Sequence, residues 1–167
     1  LLMRAREPHV MFEGYHGDVP GAAFDVDGWY HTGDLLSETD SGDLVFRGRL
    51  RESIRRRGEM IAPAEIEAVA AEHPAVSECA AVGVPADDGV EEEILLCVVP
   101  RGESAGVDVA ALHAYLRAEL PQFMVPRYLR TVDELPKTPT TRVRRHVLRE
   151  QGIAGAWDAR AARRGRG

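Results

Sequence analysis

Ser77-Glu78-Cys79-Ala80-Ala81-Val82-Gly83-Val84 and Glu92-Glu93-Ile94-Leu95-Leu96-Cys97-Val98-Val99 are two apolar, valine-rich runs separated by Pro85-Ala86-Asp87-Asp88-Gly89. Runs of this length on either side of a Pro/Asp/Gly cluster read as two strands joined by a turn. Upstream, Pro63 suits a first helical turn, and Ile66, Val69, Ala70 and His73 recur at i, i+3, i+4, i+7 until Pro74 stops the pattern. Downstream, Asp108 can cap a helix whose apolar face is Val109, Leu112, Leu116 and Leu120, closed by Pro121. Residues 128–132 read as a third strand, 135–142 as a loop rich in proline and threonine, and 143–151 as a short basic helix. Strands and helices of this size in mixed order predict an α+β domain, with helices packed on a small sheet.

Towards the N-terminus the texture changes. Residues 1–46 are rich in glycine, aspartate and short apolar runs. Residues 1–4, 9–12, 29–36 and 43–46 read as strands, with a loop over 14–21 and a turn at Asp40-Ser41-Gly42-Asp43. The chain starts at Leu1 directly in such a strand, so a truncated β-rich piece is expected here. Residues 52–57 read as another short strand, ending at Gly58. From Gly152 the chain is rich in alanine, arginine and glycine, and a disordered basic tail over 152–167 is expected.

Bulk properties exclude several classes. The 167 residues are 44% hydrophobic and 29% charged, ordinary values for a soluble globular protein. A net charge of −6 argues against nucleic-acid binding. No apolar run approaches the roughly 20 residues of a membrane span. Arg4, Arg6, Glu7 and His9 break any signal-peptide pattern. Cys79 and Cys97 sit within apolar runs without metal-ligand spacing, so reduced core thiols and a cytoplasmic location are expected. Lys137 is the single lysine among 21 basic residues, a bias towards arginine that colours how each arginine is read.

Three clusters could carry chemistry. In Gly28-Trp29-Tyr30-His31-Thr32-Gly33-Asp34 the carboxylate beside a glycine could accept two hydrogen bonds from a sugar diol, or simply occupy a turn. Gly48-Arg49-Leu50-Arg51-Glu52-Ser53-Ile54-Arg55-Arg56-Arg57-Gly58-Glu59 holds five arginines that could meet phosphates, or blunt a solvated sheet edge. Leu135-Pro136-Lys137-Thr138-Pro139-Thr140-Thr141-Arg142-Val143-Arg144-Arg145 could close over a polyphosphate, or serve as a connector. There is no Cys/His metal-ligand set, nucleophile elbow or P-loop.

In this order, the three clusters resemble motifs of the adenylate-forming superfamily of acyl-CoA synthetases, peptide-synthetase adenylation domains and luciferases. The first is similar to its Tyr-x-Thr-Gly-Asp motif. The second is similar to its Gly-Arg-x-x-Asp…Gly-Glu…Glu-Ile-Glu stretch, ending here at Pro63-Ala64-Glu65-Ile66-Glu67. The third is similar to its Leu-Pro-Lys-Thr-x-x-Gly-Lys loop. Val82-Gly83-Val84-Pro85 and Leu120-Pro121-Gln122-Phe123-Met124-Val125-Pro126 also resemble family phrases, so the likeness runs from residue 1 to about 151. Residues 55–65 look closer to fatty-acid and carnitine-type CoA ligases than to peptide-synthetase domains.

The resemblance implies the C-terminal part of an ATP-dependent acyl-CoA ligase, with a place in fatty acid metabolism. ATP and a carboxylate give an acyl-adenylate and pyrophosphate; the thiol of coenzyme A, as co-substrate, then displaces AMP. Residues 1–48 would end a large N-terminal AMP-binding domain, and 49–151 would form a C-terminal lid that turns between steps and presents a different face to each. The implied partners are that large domain, which would also hold most of the Mg2+ contacts, and a small carboxylate. Asp34 would bind the ribose hydroxyls of ATP with Arg49 assisting, Arg51 would sit at the hinge, and Arg57 and Gly58 would line the coenzyme A tunnel. No metal ligand falls within the chain.

Arg142 occupies the position of the adenylation lysine. That lysine offsets charge building up at the carboxylate and α-phosphate, and arginine keeps the charge on a longer, planar, forked group. Thr141 replaces the preceding glycine, and Met60 stands where close relatives have asparagine. Weakened adenylation is therefore expected. A degenerate, non-catalytic lid that binds nucleotide or a partner is the alternative, as is an adenylation domain that loads a carrier protein. The isolated chain is expected to be inactive.

Overall fold

The structure, a computed structural model, describes residues 1–7, 9–19, 22–87, 89–102 and 107–164. Its chain divides between Arg51 and Glu52 into two compact units, slightly beyond the boundary at 48/49 read from the sequence.

In the first unit, β1 (Leu2–Met3) pairs antiparallel with β2 (Tyr30–His31), and β3 (Asp34–Glu38) with β4 (Leu44–Arg49). The Trp29-to-Leu36 run is two strands because Gly33 takes φ 71° between them, a conformation glycine adopts without penalty. Residues 9–12 do not form the expected strand. Phe12 instead packs edge-on to Tyr30, with ring centroids 4.9 Å apart, in a cluster with Tyr15 and Phe24, an arrangement that needs no ladder partner. The expected loop over 14–21 is described only to residue 19.

The second unit opens with a hairpin: β5 (Ile54–Arg56) lies within the strand expected over 52–57, and β6 (Glu59–Ile61) is a partner strand that was not expected. Next come α1 (Pro63–Glu72), β7 (Val76–Pro85), β8 (Glu92–Pro100), α2 (Val109–Glu119) and β9 (Tyr128–Thr131). Short α3 (Arg145–Glu150), β10 (Trp157–Asp158) and α4 (Ala159–Arg164) complete it. The sheet order is β10-β9-β8-β7, parallel only between β8 and β9. Helix α2 starts as expected, with the Asp108 carboxylate accepting from the Ala110 and Ala111 amides. The expected turn at 85–89 falls between β7 and β8, although Asp88 lies outside the described residues.

β8 lacks polar alternation because both of its faces are buried. Ile94, Leu96 and Val98 join one core with Ile66 and Ala70 of α1, Leu112 and Leu116 of α2, and Ile54 and Ile61 of the hairpin. Leu95 and Cys97 join a second core with Val82, Leu135 and Leu148 of α3. At roughly 25 cal/mol per Å2 of apolar surface, such two-sided burial makes this strand the centre of the domain's stability.

The disordered tail expected over 152–167 is corrected for residues 157–164. Trp157 pairs with Leu129, Ala159 is buried, and the Asp158 carboxylate accepts from the Arg160 amide at 2.7 Å and from Arg127 Nη2 at 3.2 Å. This order comes from ion pairing and one aromatic ring, which a composition of alanine and arginine does not reveal. Residues 165–167 lie outside the described residues.

Candidate functional site

The first unit brings Asp34 and Arg49 together as cross-strand partners on β3 and β4. Arg49 Nη1 lies 2.9 Å from Asp34 Oδ1 and donates to the Thr32 carbonyl at 3.1 Å, while the Asp34 amide donates to Thr32 Oγ1 at 3.0 Å. Gly33 and Arg49 line a pocket of about 480 Å3 with Tyr15, Tyr30 and Thr32. The Tyr15 and Tyr30 hydroxyls are 2.6 Å apart, and that hydrogen bond, helped by burial, raises the Tyr30 pKa. Arg51 lies in a single 3-10 turn, Leu50–Glu52, directly before the division between the units.

In the second unit Arg57 and Gly58 form the two-residue turn of the β5–β6 hairpin, at φ 54° and 80°. Left-handed geometry at both centres suits the twist of a tight hairpin, and for arginine it costs about 1–2 kcal/mol. The amides of Arg57 and Gly58 donate to the two carboxylate oxygens of Glu91, at 2.7 and 3.1 Å. The Arg55 amide donates to Glu92 Oε2 at 2.8 Å. Beneath the turn Arg56 is buried, with Nε 2.8 Å from Glu93 Oε2 and Nη1 donating to the Phe123 and Val125 carbonyls. Burial lowers the Arg56 pKa, and the Glu93 charge opposes that shift. Arg56, Arg57, Arg117, Arg127 and Arg160 line a pocket of about 110 Å3. Glu93, Asp87 and Asp158 pair with three of these arginines, whereas Arg57 and Arg117 make no ion pair with a described residue.

Arg142 lies on the loop before α3, exposed, with no partner for its guanidinium among the described residues. The loop is closed by its own groups. The Thr138 amide donates to the Arg142 carbonyl, and the Arg142 amide to Thr138 Oγ1. Thr141 stands at φ 64°, so a β-branched residue keeps the conformation of the glycine expected there. Behind the loop, Arg145 forms a bidentate pair with Glu67 and reaches Glu52 Oε2 at 3.2 Å, and Arg149 donates to the Glu52 carbonyl. Burial lowers the Arg145 pKa, but the two carboxylates outweigh it and the net shift is upward.

The turn at Arg57 and the loop at Arg142 are therefore rooted on opposite faces of one sheet, through Ile54 and Ile61 on one side and Leu135 and Val143 on the other. Residues 65–142 match the family of AMP-binding enzyme C-terminal domains. The chain carries an AMP-binding enzyme C-terminal domain.

A probable CoA ligase of Humulus lupulus, CCL9, is 40% identical over 80% of this chain and 25% of its own length. The sulfoacetate–CoA ligase of Cupriavidus necator is 43% identical over 78% and 25%. The crystal structure of ATP-bound MatB from Rhodopseudomonas palustris shares the fold at TM-score 0.69 and 34% identity, covering 77% of this chain and 25% of that one. The chain thus spans about a quarter of the length of the curated relatives it matches.

Glu91, Glu92 and Glu93 were not among the expected site residues: Glu92 and Glu93 were read only as the start of a strand, and Glu91 was not singled out. Three consecutive acids in a chain whose nearest arginine cluster is 55–57 were the available signal. Among the described residues no group of three or more His, Cys, Asp or Glu could hold a metal ion. Nor is any helix among them long and apolar enough to cross a membrane. Cys79 and Cys97 are both free thiols.

Proposed function

We propose that this chain is the C-terminal part of an ATP-dependent acyl-CoA ligase, in which the domain serves the two half-reactions with opposite faces of its sheet. The observation that carries this reading is the rooting of the Arg57-Gly58 turn and the Arg142 loop on those opposite faces. A domain that turns about Arg51 could offer first one and then the other, which is how lids complete a site in stages.

In the adenylation step Asp34 binds the ribose of ATP, Arg49 holds Asp34, and Arg142 meets charge building up between carboxylate and α-phosphate. In the thioester step Gly58 leaves room for the thiol arm, and Arg57 with Arg117 faces the phosphates of coenzyme A. The CoA-ligase relatives and the ATP-bound neighbour support both co-substrates. Mg2+ and the acyl pocket belong to the large N-terminal domain, so the 167-residue chain alone has no turnover.

Thr141 at φ 64° favours weakened over lost adenylation, because the loop keeps its glycine-like course while carrying a longer cation. A non-catalytic lid is the competing reading. In the full-length protein, AMP release and thioester formation are followed with a panel of carboxylates. Both products appear if the ligase reading holds; AMP without acyl-CoA in the presence of coenzyme A removes it. The double variant Arg142→Lys with Thr141→Gly raises carboxylate-dependent pyrophosphate exchange by roughly tenfold or more, about 1.4 kcal/mol of transition-state stabilisation. No change from an already active parent removes the claim of weakened adenylation.

A further inference from the structure

We propose that Glu91 is the positioning residue of the thiol-side turn, holding Arg57 and Gly58 in the shape that admits the thiol arm of coenzyme A. This rests on the acyl-CoA ligase reading above. With both central residues left-handed, the outward amides of Arg57 and Gly58 have no partner in the hairpin ladder and form a small concavity of N–H groups, a setting that attracts an anion. The Glu91 carboxylate fills it, one oxygen to each amide, at 2.7 and 3.1 Å.

Glu91 is itself held in place. The Ala86 amide donates to the Glu91 carbonyl at 2.9 Å and the Gly89 amide to the Ala86 carbonyl at 3.0 Å, closing the connection between β7 and β8. Glu92 then reaches across Gly83 to the Arg55 amide. A Cβ at Gly83 would lie 2.5 Å from the Glu92 carboxyl carbon, so this glycine vacates the path of the side chain. Two successive carboxylates thus bind three amides along the outer edge of one hairpin.

The occupied concavity has a chemical consequence. The Gly58 amide is already satisfied by a carboxylate and does not serve as a donor to an anionic ligand. Gly58 contributes the absence of a side chain, and Arg57 contributes its guanidinium. Replacing Glu91 frees two amides and leaves arginine in an unfavourable conformation without its support, so the turn relaxes and the thiol path loses its shape. The adenylation loop, on the other face of the sheet, is untouched.

The test compares Glu91→Ala and Glu91→Gln with the parent in the full-length protein. Hydrogen exchange at the Arg57 and Gly58 amides, pyrophosphate exchange, the KM for coenzyme A and the Tm are all read. In Glu91→Ala the two amides exchange at least about tenfold faster. The KM for coenzyme A rises roughly tenfold or more while pyrophosphate exchange stays within about twofold. Glu91→Gln, which keeps one acceptor oxygen, falls between. Unchanged amide exchange in Glu91→Ala removes the clamp. Faster exchange with an unchanged KM removes its role in the thiol step. Equal losses in both half-reactions, tracking a fall in Tm, make Glu91 a general stabiliser and overturn the proposal. A parent that makes no acyl-CoA removes the ligase reading and the thiol role together, with amide exchange still reporting on the clamp.

Discussion

The turn at Arg57 and the loop at Arg142 carry the same backbone anomaly and answer it differently. Each holds a non-glycine residue in the left-handed region, Arg57 at φ 54° and Thr141 at φ 64°. The turn is gripped from outside by Glu91 and Glu92 and sits on the buried pair Arg56–Glu93. The tip of the loop is held by its own threonines and by a bridge between Lys137 and Val143, while its base is tied to the domain by buried Leu135, by the Lys137–Glu78 ion pair and by Arg145. A site for a long thiol arm needs a fixed channel, whereas a side chain that must reach a reacting carboxylate benefits from a tip with fewer ties. On the proposed ligase reading, the difference in support would suit these two roles.

The largest expected effect is beneath the turn. Glu93→Ala leaves Arg56, only 8% exposed at its side chain, without its carboxylate, and should destabilise the domain by about 3–5 kcal/mol in urea denaturation. A loss below about 1 kcal/mol would show that the turn does not depend on this pair, and the contrast with the loop would weaken. A smaller effect, of opposite sign, is expected at the loop. Thr141→Gly relieves a β-branched residue of its left-handed strain and should stabilise by about 1 kcal/mol, read as a higher Tm. Arg57→Gly should gain less, since arginine is not branched at Cβ. The reverse ranking would mean that the turn is the more strained of the two.

The smallest effect is a matter of pH. Burial pushes the Asp158 carboxyl upward, but its bonds from Arg127 and from the Arg160 amide outweigh this and hold it below 3.8. A depressed carboxylate contributes stability above its ordinary pKa and loses it as pH falls through the folded value. Acid below about pH 3.8 should therefore loosen β10. Trp157 fluorescence in a Trp29→Phe background should stay constant from neutral pH down to that point and shift below it. A shift already complete at pH 5 would assign the change to another group.

Much of this arrangement was legible in the sequence, for physical reasons that differ by element. The strands 76–85 and 92–100 were visible because a strand buried on both faces needs an unbroken apolar run, and α2 because Asp108 caps a clear stripe. The family resemblance set Arg49 to assist Asp34, and the structure makes the two cross-strand neighbours. The hairpin strand 59–61 escaped because three residues, one of them a glutamate, give no periodicity. β10 escaped because its order depends on Arg127, 31 residues before Asp158 in the chain, and not on its own composition. The Glu91 clamp was hidden for a similar reason. A carboxylate that binds backbone amides leaves no pattern in side-chain chemistry, and only the turn's geometry reveals it.

The central claim is that the two faces divide the two half-reactions, and Gly58 tests it most directly. At φ 80° with open space around the missing side chain, Gly58→Val would both strain the turn and obstruct the proposed thiol path. Acyl-CoA formation and carboxylate-dependent pyrophosphate exchange are measured side by side in the full-length protein. Thioester formation should fall by about 100-fold or more, near 2.7 kcal/mol, with pyrophosphate exchange preserved within about threefold. Equal loss of both activities, or no loss of either, would contradict it.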